Sequence, residues 1–125
     1  MPTVSTKNLG IEHTEWVEKL RSLKDSLLNY KNQLTEIAGK QPSKELAQSI
    51  EHFQNQFIVQ DEKISELKHD IKRHLKTNAA EMELTAQDIS IEELNLYSQF
   101  KGKVLGEEKI FGELQAEFEA FVAKI

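Results

Sequence analysis

Cysteine is absent from the 125 residues, which removes disulfide frameworks, zinc knuckles, iron–sulfur clusters and cysteine nucleophiles from consideration. With only five glycines and two prolines, the chain also lacks the turn residues that a loop-rich or many-stranded fold requires. No stretch approaches the roughly 18 uninterrupted apolar residues of a membrane span, and Met1 to Gly10 holds no apolar core of a signal peptide. The expectation is a cytoplasmic protein with no membrane partner.

Catalytic signatures are missing as well. There is no glycine-rich phosphate loop, no nucleophile elbow and no His-Glu-x-x-His pair, and the four histidines are scattered along the chain. The chain reads as a non-enzyme without cofactor or resident metal.

What it does have is charge and helical periodicity. The net charge of −5 is unevenly placed: from Glu81 onward ten acidic residues stand against four basic ones, whereas Lys40 to Lys76 is close to neutral. An acidic last third makes nucleic acid an unlikely partner. The basic stretch Lys68, His69, Lys72, Arg73, His74 and Lys76 runs the other way. It reads first as cations opposing the dipole at a helix C-terminus, and second as a weak phosphate or nucleic-acid patch.

Three apolar seams alternate steps of three and four. The first joins Trp16, Leu20, Leu23, Leu27, Tyr30, Leu34 and Ile37, and extends back through His13 to Leu9. Gly39 is placed to cap that helix with a left-handed turn, and Gln41-Pro42-Ser43 to end it and start the next. The second seam runs from Leu46 through Ile50, Phe53, Phe57, Gln60, Ile64, Leu67 and Ile71 to His74. The third runs from Glu93 through Tyr97, Phe100, Val104, Glu107, Phe111, Leu114, Phe118 and Phe121 to Ile125.

The expected architecture is therefore all-α: a single domain folded as an up-down-up antiparallel three-helix bundle. Its long, coiled-coil-like helices cover about 9–39, 43–78 and 86–125. Gly102, Gly106 and Gly112 weaken the third helix, with a kink expected at 102–106.

Folding the chain back about Lys40 and about Glu83 gives a layer map. It sets Gln60 opposite Glu107 and near Arg21, and His74 opposite Glu93 or Glu92, as polar layers that fix register. The same map places His13 a turn from His69 and further from His74. Glu66 and His69 have the i, i+3 spacing of a di-iron bundle motif, but it occurs once and on the solvent side of the heptad. A metal-binding bundle using histidine and carboxylates is the alternative reading.

Leu28, Ile58, Val59, Leu105 and Ile110 are apolar but lie off the seams, all in the middle third. They read as an apolar belt for self-association or for a protein partner. The leading expectation is a non-enzymatic helical interaction or structural protein, a homo-oligomer or a docking platform. Heptads of this kind recur in many unrelated proteins and name no family.

Overall fold

The computed structural model describes residues 6–84 and 91–125. The side chains of residues 6–10, 75–84, 91 and 93 are not among those described. The described residues form three helices: α1 from Thr6 to Ala38, α2 from Lys44 to Leu84 and α3 from Ile91 to Ala123. No strand is present among the described residues.

Ring contacts fix the order. At one end His13 of α1 lies against His74 of α2 and Phe100 of α3; at the other Tyr30 lies against Phe57 and Phe118. Numbers rise together along α1 and α3 and fall along α2, so the helices pack up-down-up as a bundle.

The seams become the core because residues three and four apart share one helix face. Leu20, Leu27 and Leu34 of α1 are fully buried, as are Phe57, Ile64 and Ile71 of α2 and Val104 and Phe118 of α3. Each contributes roughly 1.5–3 kcal/mol of transfer free energy. On α1 the face is rotated: Val17, off the seam, is buried, whereas Trp16, Leu23, Tyr30 and Ile37 are only partly covered. A helix with two neighbours buries a stripe wider than a coiled-coil seam, so a flanking position joins the core.

The first turn departs from expectation. Ser43 caps α2 as the sequence suggested, its Oγ accepting from the Leu46 amide at 3.2 Å. Gly39, however, is not left-handed. Its amide donates to Thr35 O at 3.1 Å, and the left-handed residue is Gln41, with φ 52°. The left-handed turn of the five-residue linker thus falls at Gln41, two residues after Gly39.

The register is shifted as well. Fold-back about Lys40 would set Tyr30 level with Glu51, yet its ring meets Phe57 at 6.3 Å. Fold-back about Glu83 would set Phe53 level with Glu113, yet it meets Phe118 and Phe121 at 5.3 and 5.0 Å. Ion pairs follow the same register, with Lys31 of α1 3.3 Å from Asp61 of α2.

Two helix ends also differ. α2 continues past residue 78 to Leu84, since Ala79, Ala80, Glu81, Met82 and Leu84 are all strong helix formers. The stretch from Lys68 to Lys76 is therefore interior to α2 and does not cap its C-terminus. α3 ends at Ala123, leaving Ile125 exposed beyond it. It runs as one uninterrupted α-helix through Gly102, Gly106 and Gly112, where an added Cβ would meet nothing within 4 Å. The caps expected at 85–88 lie outside the described residues.

Candidate functional site

Among the described residues polar side chains occupy three places in the core: His13 at 3 % exposure, Gln60 at 3 % and Glu107 at 6 %. Burying such a group is unfavourable unless a partner satisfies it, so each is a place where chemistry competes with packing.

His13 sits in a box of rings at the end of the bundle remote from the first turn. Trp16 is 4.7 Å away by ring centroids, His74 5.4 Å, Phe100 6.0 Å and Tyr97 6.2 Å. The register shift brings His13 to His74 in place of His69, which is exposed. Tyr97 completes the box. A hydrogen bond to the Glu12 carboxylate, followed by burial and the negative charge of Glu12, pushes its phenol up to about 12. The Lys101 ammonium lies 5.8 Å above the Tyr97 ring. The side chain of Glu93, expected opposite His74, is outside those described. No signal in the sequence pairs Glu12 with Tyr97, because that contact depends on the register.

Gln60 and Glu107, expected to face one another, are both buried, and each leaves its Oε1 without a hydrogen-bond partner among the described residues. Glu107 lines a cleft with Lys63, Glu66 and Leu67 of α2. Burial raises its carboxyl above the ordinary carboxylate range, and the charge of Lys63 opposes that rise. Arg21, expected near Gln60, pairs with Glu18 at 2.9 Å. Among the described residues no set of three or more His, Asp or Glu is placed to hold a metal ion.

No known family, curated protein or solved structure matches this chain.

The five belt residues all lie on the outside of the bundle, from 41 % exposed at Ile110 to 59 % at Leu28. They do not share one face. Ile58 borders the groove between α1 and α2, together with Lys31, Leu34 and Thr35. Ile110 borders the groove between α2 and α3, with Lys63 and Leu67. At 100° per residue, Val59 turns toward the α2/α3 side and Leu105 faces away from the buried stripe of α3. The five therefore girdle the bundle.

Cations gather on the α1/α2 side. Burial and then the charges of Lys72, Arg21 and Lys24 lower the Lys68 ammonium, with Asp25 opposing them. Lys24 and Lys31 both reach Asp61, at 3.9 and 3.3 Å. The helix-2 half of this cluster is visible in the sequence; Arg21 and Lys24 join it only through packing. Among the described residues no helix is long and apolar enough to cross a membrane.

Proposed function

We propose that this chain is a non-enzymatic, cytoplasmic interaction protein whose coiled-coil-like helices either self-associate into a homo-oligomer or dock a protein partner. The observation that carries the reading is the girdle: Leu28, Ile58, Val59, Leu105 and Ile110 are each at least two-fifths exposed. A water-facing helix position favours polar residues, and covering apolar area by another chain returns roughly 25 cal/mol per Å². The box of rings around His13 is closed by packing, which suits a structural end better than a reaction centre.

The test is the double variant Ile58→Glu with Leu105→Glu, followed by light-scattering mass and thermal melting across protein concentration. The expected result is a fall in mass toward that of one chain, 14.4 kDa, with concentration dependence of melting lost. Mass and melting both unchanged would overturn the belt.

A second reading rests on the cations. Arg21 and Lys24 across the groove from Lys68 and Lys72 form a site for a phosphate-bearing ligand, since like charges held together are relieved by an anion. It predicts salt-sensitive binding of inorganic polyphosphate that disappears in Lys68→Glu with Lys72→Glu.

A further inference from the structure

The groove between α2 and α3 contains a cleft of about 320 Å³. Its acidic lining is Glu66, Asp70 and Glu107; its apolar walls are Leu67 and Ile110. Glu107 is more than nine-tenths buried, and its Oε1 accepts no hydrogen bond from any described residue. Lys63 lines the same cleft and its charge reaches Glu107, but it does not donate to that oxygen. Gly106 forms part of the wall, and a Cβ there would meet nothing within 4 Å, so that side of the cleft is open to an incoming group.

A buried carboxylate oxygen without a donor carries its full desolvation penalty, and a charged donor relieves it best. We propose that the α2/α3 cleft receives an arginine side chain from a protein partner. Its guanidinium meets Glu107 between Glu66 and Asp70, and its aliphatic stem lies along Leu67 and Ile110. Arginine fits better than lysine for two reasons. Its planar fork offers five donors to carboxylates spread across a cleft, and it is less strongly hydrated than an ammonium, so it enters a half-apolar groove at lower cost. Asp70 and Glu66 at the mouth offset the repulsion from Lys63 and Lys103. The proposal names the chemistry of the partner in the interaction reading above, and so rests on it.

The experiment uses the intact, isotopically labelled chain and a free cation, so its outcome is separate from that of the belt variants. Butylguanidinium is titrated against the protein and followed by amide chemical shifts, with butylurea as the neutral control of the same shape. Saturable shifts at Gly106, Glu107 and Ile110 are expected with the cation and not with the urea. Glu107→Gln, which keeps shape and removes charge, should weaken binding about tenfold or more. Gly106→Val, which fills the mouth and leaves every charge in place, should weaken it likewise. Equal shifts with butylurea, no shift at those residues, or unchanged affinity in Glu107→Gln would each overturn the arginine site, whatever the mass of the Ile58 and Leu105 variants.

Discussion

Both ends of the bundle are filled by rings drawn from all three helices, yet they are built from different chemistry. Near the first turn the rings are mostly hydrocarbon: Phe57 and Phe118 meet edge to face at 5.1 Å, Phe53 meets Phe118 at 5.3 Å, and the Tyr30 phenol leans on Phe118 at 5.2 Å. At the other end the central ring is an imidazole, with a second imidazole, an indole and a phenol around it. The two clusters match in geometry, at ring separations of 4.5–7 Å. They differ in what holds them. The phenylalanine end is held mainly by burial, with the Tyr30 hydroxyl donating to Glu119 at 3.4 Å and His52 pairing with Glu117 at 3.0 Å on its rim, whereas the histidine end has an imidazole at its centre and adds the Glu12–Tyr97 hydrogen bond. Close packing thus tolerates polar rings at that end, and the register brings the Tyr97 phenol to Glu12.

The largest expected effect breaks the phenylalanine end. Phe118 is fully buried and touches Tyr30, Phe53, Phe57 and Phe121. Phe118→Ala should cost about 3–5 kcal/mol, lowering the melting midpoint by on the order of ten degrees or more. If the change moves the midpoint by only a degree or two, the ring cluster does not anchor that end.

Between the two ends lies Glu107, where the prediction has the opposite sign. Its carboxyl is raised above 4.5 in the folded chain, so the folded state holds the proton over a pH range in which the unfolded chain has released it. Stability from this group therefore falls as pH rises from 4.5 through the folded value, and the full penalty applies above it. Glu107→Gln should stabilise the bundle at neutral pH by about 1–2 kcal/mol and flatten stability across that window. Denaturant melts of both chains from pH 4 to 8 check it. A variant that is less stable at neutral pH would mean that the ionised carboxylate has a partner in the free protein.

What the sequence made legible was the face of each helix. Every interior member of the α2 seam from Ile50 to Ile71, and of the α3 seam from Phe100 to Phe118, is buried, Gln60 and Glu107 included. Those positions follow from spacing, which the helix repeat alone determines. Register was not legible, because it depends on how five linker residues are spent. The left-handed residue of the first linker is Gln41, not Gly39, and Tyr30 meets α2 further along than a fold-back about Lys40 allows. The polar residues could thus be placed in the core without being assigned neighbours. His13 meets His74 and not His69, Glu107 shares a cleft with Lys63 and Leu67, and Tyr97 meets Glu12. The girdle was legible as residues off the seam; its spread over separate grooves was not, since the angular order of helices is a property of the packed bundle.

At the histidine end the expected change is smaller. Tyr97→Phe removes the hydrogen bond to Glu12 while keeping the ring, and should cost about 1 kcal/mol. The same residue has a spectroscopic signature. With its phenol pushed up to about 12, from the ordinary 10.0, the unfolded chain ionises first, so stability is lost as pH rises above 10.0. Phenolate absorbance should show a step near pH 12 that Tyr97→Phe deletes, leaving the step of Tyr30, which burial and the charge of Glu119 also raise; ionisation of both tyrosines near pH 10 would rule out the Glu12–Tyr97 bond.

The smallest change sharpens the comparison from outside both clusters. Gly112 lies on the exposed side of α3, in the part that packs at the phenylalanine end, and a methyl group there meets nothing within 4 Å. Gly112→Ala removes backbone entropy from the unfolded chain and adds no clash, so it should stabilise by about 0.5–1 kcal/mol. If the substitution also lowers the mass in solution, the glycine is kept for close approach by another chain, and the outward face of α3 belongs to the contact as much as the girdle does. If it stabilises and leaves the mass alone, the glycine is not needed for close approach by another chain, and the interaction reading rests on Leu28, Ile58, Val59, Leu105 and Ile110.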